Sequence, residues 1–367
     1  LEQRVARRRG GGKTIIDVAR LAGVSPMTVS RVVNGEVNVR DATRHRVTEA
    51  IRTLGYSPNP AARSLASAGS LRIGLLYSNP SAAYLSEFLL GSLDQCSRSA
   101  IQLIVEKCDA EDSEQAAVDH MVVSGVDGVI LPPPLCDSRA IVSGLAAAGI
   151  PTVVVATGRP LASASAIRID DHTAAALMTR HLIAKGHSRI GFVRGHPNQT
   201  ASELRYDGYV AALAEAGLPV DAALVVQGYF TYHSGLEAAD ALLDLADRPT
   251  AIFASNDDMA AAAVAVAHRR GMDVPGDLTV CGFDDTALAT TLWPELTTIR
   301  QPVAEMSRRA VLLLLENIRR KAEGKPTPSV IEVMDFTLVQ RQSDGPPVGV
   351  THGVRSDQRL GTTASAS

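Results

Sequence analysis

The chain has 367 residues, 46% of them hydrophobic, with a net charge of −3. That length exceeds what one compact core usually organises, so two or three globular, soluble domains are expected. No run of about 20 apolar residues occurs, which argues against a membrane span, and the four cysteines lack C-x-x-C or C-x-x-H spacing, which fits a reduced cytosolic compartment better than a disulfide or zinc framework.

Charge is unevenly distributed along the chain. Residues 1–66 hold 12 Lys and Arg against 5 Asp and Glu, a net of +7, which leaves −10 on the remainder. A small basic unit joined to a large acidic body is expected where only the first part touches a polyanion. The opening LEQRVARRRGGGK is basic and lacks an apolar signal core, so no export is expected and residues 1–13 are predicted to form a disordered arm.

Thr14, followed three residues later by Asp17, has the form of a capping box opening IIDVARLAG, with Gly23 as its stop. Ser25 caps a second helix whose first position, Pro26, has no N–H to lose, and which ends at Asn34-Gly35. A third helix runs from about Asp41 to Leu54 and brings Val47, Ala50, Ile51 and Leu54 over Ile15, Val18, Ala19, Val29, Val32 and Val33. Three such short helices can share a minimal core, and none would last alone. The first pair has helix-turn-helix proportions. In that arrangement Pro26, Met27, Thr28 and Arg31 face bases, Arg31 with the fork geometry for guanine O6 and N7. Thr14, Ser25, Ser30, Asn34 and Tyr56 carry donors suited to phosphate oxygens. A helix pair of this kind also occurs as plain structure, but that reading leaves the local basic excess unexplained.

Past Gly55, YSPNPAARSLASAGS offers Asn59 as a cap and Pro60 as the start of one more short helix, polar and brief. It reads either as a flexible tether or as a hinge over residues 59–70 that becomes helical only on DNA, where Leu65 wedges between base steps in the minor groove.

From Leu71 onward, strand-like runs alternate with helical stretches. The runs are RIGLLY (72–77), IQLIVEKC (101–108), DGVILPP (127–133), PTVVVA (151–156), RIGFVRG (189–195), ALVVQGY (223–229), AIFASN (251–256) and LTVCGFDD (278–285). Helix-sized segments such as Leu85 to Ala100, His172 to Lys185, Leu204 to Ala216 and Asp257 to Arg270 lie between them. Short continuous Val/Ile/Leu strands alternating with helices predict parallel sheets covered on both faces. A break at TGRPLASAS (157–165) divides the body into two similar βα halves, with a ligand expected between them at the carboxyl ends of the strands. TTIRQP (297–302) and VIEVMDFTLVQR (330–341) flank a long helix, Val303 to Glu323, and carry the chain back across between the halves. The expected architecture is a small all-α helix-turn-helix head plus an α/β body of two doubly wound parallel-sheet subdomains. A disordered tail is expected over 342–367.

TIIDVARLAGVSPMTVSRVVNG, TRHRV and LGYSPNPAARSLAS together resemble the DNA-binding head and hinge of the LacI/GalR family of bacterial transcription regulators. The likeness continues in HLIAKGHSRIGFVRG, ELRYDGY, AIFASNDDMAAAA, LTVCGFDDT and LTTIRQP, and so covers roughly residues 14 to 341. The resemblance implies a head over 14–58, a hinge over 59–70 and a periplasmic-binding-protein-like effector and dimerisation body over 71–341. Its subdomains are expected at about 71–166 with 299–328, and 167–298 with 329–341. It also implies a cytoplasmic, nucleoid-bound homodimer on a pseudo-palindromic operator, with Asn59, Ala62, Arg63 and Leu65 of the hinge at the DNA.

Carried over by motif, Arg205, Asn256 and Asp284 are expected to contact a small effector, with Tyr84 and Phe230 as further candidates. Adjacent sugar hydroxyls suit such bidentate donors and acceptors, and an aromatic ring suits a sugar's apolar face. For Asn256 and Asp257, helix capping is the plainer reading, and both roles can hold. Pro132 and Ala156 stand where some relatives place Asn and Asp, so the hydroxyl pattern they read does not transfer. Arg40 stands where relatives often have a small cap, which shifts the expected cap to Asp41. The tail has no leucine heptad to build a tetramer. The alternatives are a regulator bound by a purine-like or phosphorylated corepressor, a solute-binding protein, and an enzyme. GGGKT lacks the phosphate loop's first Gly, since Arg7 stands there, and neighbouring carboxylates such as Asp170-Asp171 or Asp284-Asp285 point oppositely on an extended run. The sequence therefore predicts a sugar-responsive repressor with no catalytic residue, metal or cofactor.

Overall fold

The computed structural model describes residues 15–33, 40–54, 71–108 and 114–347. It forms two compact units divided at Ser70 and Leu71.

The first unit holds helices α1 (Ile15–Ala22), α2 (Pro26–Val33) and α3 (Asp41–Leu54). Val18, Ala19, Ala22, Val29, Val47 and Ala50 make its core, with Val24, Val32, Ile51 and Leu54 packed around them. The turn between α1 and α2 follows from one residue. Gly23 takes φ +65, and this lets its amide reach Arg20 O (3.4 Å) while the Val24 amide reaches Ala19 O (3.0 Å), the paired closure of a glycine-ended helix. Ser25 then caps α2, its Oγ accepting from the Thr28 amide at 3.2 Å. At α3 the cap position belongs to Arg40, whose carbonyl accepts from the Thr43 and Arg44 amides at 2.9 and 3.0 Å. Asp41 is the first helical residue rather than a late cap.

The second unit is two lobes of the same design. The first lobe has strands β1 (Arg72–Tyr77), β2 (Gln102–Lys107), β3 (Gly128–Leu131), β4 (Thr152–Val155) and β5 (Ser165–Arg168), with helices α4 (Ala82–Arg98), α5 (Glu114–Val123) and α6 (Arg139–Ala147). The second has α7 (Asp171–Ala184), β6 (Ile190–Arg194), α8 (Thr200–Glu215), β7 (Val225–Gln227), α9 (Tyr232–Leu243), β8 (Ala251–Ala254), α10 (Asp257–Arg269), β9 (Thr279–Asp284), α11 (Leu288–Thr291) and β10 (Thr297–Arg300). The chain then returns to the first lobe for α12 (Val303–Ala322) and β11 (Ile331–Val333), and ends in the second with β12 (Thr337–Val339).

The strand orders are β2-β1-β3-β4-β5-β11 and β7-β6-β8-β9-β10-β12. Each lobe is thus doubly wound, with its topological switch between its first and third strands. The first sheet is parallel throughout, whereas β12 pairs antiparallel with β10, Ile299 opposite Leu338. Central strands β3, β4, β8 and β9 are buried along their whole length, as their unbroken apolar runs require.

The lobe boundaries differ from those expected. The three crossings fall at residues 169–170, 301–302 and 334–336. Residues 167–168 and 331–333 therefore belong to the first lobe, and 299–300 to the second, because hydrogen bonding to β4, β5 and β9 outweighs the local loop composition. Residues 342–347 also differ from the expected tail. Ser343 is fully buried, bonding Thr297 N and Val280 O, and Asp344 meets His181 and Lys185 at 2.7 and 3.0 Å.

Candidate functional site

The head presents the start of α2. Met27 leaves 65% of its surface in solvent. Ser25, Pro26 and Arg31 are also exposed, and Thr28 is half-buried with its hydroxyl 2.9 Å from Ser25 Oγ. The exposed row contains the residues expected at bases. Of the other expected DNA contacts, Thr14, Asn34, Tyr56, Asn59, Ala62, Arg63 and Leu65 lie outside the described residues, as do the Ser30 side chain and the arm and hinge over 1–13 and 59–70.

The body has a cleft between its lobes, with about 350 Å³ of empty space that includes open solvent. Every segment lining it follows the carboxyl end of a strand: Asn79, Ser81 and Tyr84 after β1, Pro133 after β3, Ala156 after β4, Gln199, Ala201 and Arg205 after β6, Phe230 after β7, Asn256 after β8, Asp284 ending β9 and Gln301 after β10. Where parallel strands end, successive loops fan apart and leave this crevice. All five residues expected at an effector, Tyr84, Arg205, Phe230, Asn256 and Asp284, line it together. Of the two departures noted in the sequence, Ala156 lines the cleft, while the proline that does so is Pro133, next to Pro132.

Arg205 is buried, on the second turn of α8. Its Nε donates to Asp171 Oδ1 at 2.8 Å, one terminal nitrogen donates to Ser255 O at 2.6 Å, and the same nitrogen lies 3.7 Å from Asp284 Oδ1. Its guanidinium sits 3.7 Å above the Phe283 ring centroid. Asp284 Oδ1 also accepts from Gln301 Nε2 at 2.6 Å. Burial pushes the Asp284 carboxyl well above the ordinary carboxylate range, against the Arg205 charge and the Gln301 hydrogen bond, which favour ionisation. Asp171 is raised by burial in the same way, with Arg205 opposing.

Two polar atoms in this cleft have no partner, Tyr84 Oη and Gln301 Oε1. Burial first, and the Asp284 charge second, raise the Tyr84 phenol well above its usual value, so the hydroxyl stays a donor. A buried donor and a buried acceptor facing one cavity without partners carry a desolvation cost that a hydroxyl-bearing ligand relieves.

Backbone strain is concentrated here. Among the described residues five non-glycine positions have positive φ, and Ala156 (60), Phe230 (61) and Asp284 (113) line the cleft while Asp285 (58) adjoins it. Such conformations persist only where the surroundings over-determine them, and they cluster at ligand sites. Phe230 is held partly by an absence: a Cβ on Gly195 would fall 2.0 Å from its ring. Asn256 does cap α10, its Oδ1 accepting from Met259 N at 3.0 Å, while Nδ2 donates to Phe230 O at 3.1 Å. Capping and cleft lining coincide in one side chain.

Several contacts bridge the lobes beside the cleft, among them Gly158 N to Thr200 Oγ1 at 2.6 Å and Arg159 to Glu203 at 2.8 Å. Ser81 Oγ donates to Asp258 Oδ2 at 2.6 Å. Asp137, in a short 3₁₀ turn after β3, accepts the Thr200 amide and hydroxyl, each at 2.8 Å, and the Thr157 hydroxyl at 2.6 Å. A carboxylate of the first lobe thereby caps a helix of the second. Asp137, Asn79, Ser81, Gln199 and Gln301 were not singled out in the sequence, although each lies within a few residues of a strand end, and that position was the available signal.

Asp284 and Asp285 point apart. Asp285 meets Arg300 and Arg341, each at 2.6 Å, on the side away from Arg205. The described residues hold no group of His, Cys, Asp or Glu side chains placed to bind a metal, and no helix long and apolar enough to cross a membrane.

Comparison with known proteins agrees with both regions. Residues 14–59 match the family described as bacterial regulatory proteins, lacI family, and residues 179–343 match a periplasmic binding protein-like domain. Catabolite control protein A of Priestia megaterium is 37% identical over 89% of this chain and 96% of its own. The HTH-type transcriptional repressor PurR of Haemophilus influenzae (strain PittEE) is 34% identical over 89% of this chain and 98% of its own. Among solved structures, a complex of the transcriptional regulator CelR with cellobiose is 33% identical, with a TM-score of 0.69 over 90% of this chain and 99% of that one.

Proposed function

The chain belongs to the lacI family of bacterial regulatory proteins and is a DNA-binding transcriptional repressor; from that premise we propose that it controls a carbohydrate-utilisation operon, and that a neutral saccharide held in the cleft sets its affinity for the operator. It acts in the cytoplasm as a homodimer on a pseudo-palindromic site, each head placing the start of α2 in a major groove. It needs no metal or cofactor and performs no catalysis.

One observation carries the choice of ligand. The charged residues among those described as lining the cleft are one Arg and one Asp, and Arg205 is already engaged by Asp171 and the Ser255 carbonyl. That leaves a single, partly engaged cation for a phosphate, whereas Asp284, Asn256, Gln301 and the Tyr84 hydroxyl offer the mixed donors and acceptors that a polyol takes up. The CelR structure with cellobiose lends support; the rival reading is a purine-like or phosphorylated corepressor.

The test is calorimetric titration of the full chain with D-glucose, D-ribose, cellobiose, glucose 6-phosphate and hypoxanthine. It is paired with binding to an operator selected from random DNA at fixed salt. A neutral saccharide is expected to bind and to change operator affinity by about tenfold or more, an ordinary allosteric coupling. Preference for hypoxanthine or glucose 6-phosphate would replace the sugar reading.

A further inference from the structure

Asp257 does not line the cleft, yet it bonds the segments that carry Asp284 and Gln301. It is wholly buried as the first residue of α10 and follows Asn256 in the chain. Its Oδ2 accepts the Thr286 amide at 2.8 Å and the Thr286 hydroxyl at 3.2 Å, and its Oδ1 accepts the Thr298 hydroxyl at 2.7 Å. Thr286 closes the turn that holds Asp284, and Thr298 lies on β10, three residues before Gln301. The backbone makes room for the carboxylate, since a Cβ on Gly282 would stand 2.4 Å from Oδ1.

An isolated buried carboxylate is costly, and donors on both oxygens are what make this one tolerable. The turn it holds is itself strained, with Asp284 and Asp285 both at positive φ. We propose that Asp257 is a positioning residue for the effector site: it clamps the 284–286 turn from behind and sets the spacing of Asn256, Asp284 and Gln301 across the second lobe's half of the cleft. This rests on reading Asp284 as an effector contact. The clamp also explains how a strained dipeptide keeps one geometry while its first carboxylate faces the cavity and its second faces Arg300 and Arg341.

The experiment uses the full chain with Asp257→Asn, which keeps side-chain size, Thr286→Val as a milder change, and Asp284→Asn. Hydrogen exchange without saccharide reads the clamp directly, through the amides of residues 284–287. Exchange there is expected to rise about tenfold or more in Asp257→Asn and less in Thr286→Val. Calorimetry with cellobiose or D-glucose, whichever the unaltered chain binds, is expected to show about tenfold weaker binding. In a double-mutant cycle, Asp257→Asn should add little to the loss caused by Asp284→Asn, because the first acts through the second. A purely structural role predicts additive losses, which would overturn the proposal, as would unchanged exchange at 284–287. If Asp257→Asn does not fold, Thr286→Val carries both measurements. Should the unaltered chain bind none of the saccharides, the functional reading fails, and the exchange measurement alone decides whether Asp257 holds the turn.

Discussion

Asp284 illustrates how one side chain can be demanded by several neighbours at once. It ends a buried strand, sits at a φ few residues adopt, receives Gln301 and faces Arg205. Removing its carboxyl leaves Gln301 Nε2 without its acceptor and takes a polar group away from the cavity, while the head and its core are untouched. Asp284→Ala is therefore expected to abolish the saccharide response, with operator affinity in the absence of saccharide held within about twofold; gel-shift titrations with and without saccharide check this. The motifs ELRYDGY, FASNDD and GFDD made Arg205, Asn256 and Asp284 legible through the family resemblance; Asn256 and Asp284 also stand at strand ends, whereas Arg205 stands on a helix. Gln301, Asn79 and Asp137 were not legible, because their roles depend on partners such as Asp284, Pro133 and Thr200, which are distant in the chain.

Among the elements, α8 shows how the lobes are coupled. Its own first residues supply no side-chain cap, and Asp137 fills that need from the opposite lobe. A carboxylate at a helix start gains from both the free amides and the helix dipole. Because Arg205 rides on the same helix, the cap also fixes that guanidinium relative to the first lobe. Asp137→Ala should cost about 1 kcal/mol of stability and weaken saccharide binding by about fivefold, since the helix that carries Arg205 loses its tie to the first lobe. Calorimetric titration beside a thermal melt separates the two; lower stability with unaltered affinity would limit Asp137 to a structural role. The elements themselves were largely legible. Each of the eight strand-like runs contains a strand, shortened by none to four residues, as continuous Val/Ile/Leu runs buried on both faces lead one to expect. Strand β5 was not among the expected runs and the expected boundary at about 166 cut through it, since SAIR offers too short a run to declare its sheet, and only pairing with β4 and β11 decides it.

For the molecule as a whole, the end of the described chain is fastened rather than free. Asp344 is held by His181, Lys185 and the Thr297 hydroxyl, and these hydrogen bonds outweigh burial and lower its carboxyl to about 2. A folded-state value below the ordinary 3.8 means that the unfolded chain binds the proton more readily. The stabilisation, about 2 kcal/mol by linkage, is fully present above about pH 4 and is lost as pH falls towards 2. Asp344→Asn should accordingly lower the unfolding midpoint near pH 7, and the gap from the unaltered protein should narrow below pH 4; denaturation followed across that range checks the sign. The sequence offered no sign of this anchor, since Ser343 and Asp344 stand in a polar stretch that reads as a tail.

The three crossings have a consequence for how the protein is made. Neither lobe is a continuous piece of chain. The first lobe lacks the helix that covers one face of its sheet, and its edge strand, until residues 303–333 have been synthesised. Its open sheet must wait, with apolar surface uncovered, while the whole second lobe is translated, the interval in which large proteins are most prone to misassembly. The two lobes thus complete their cores almost together, over residues 303–344. A chain truncated before β11 would leave the first lobe unfinished, so a working cleft forms only once β11 has been made.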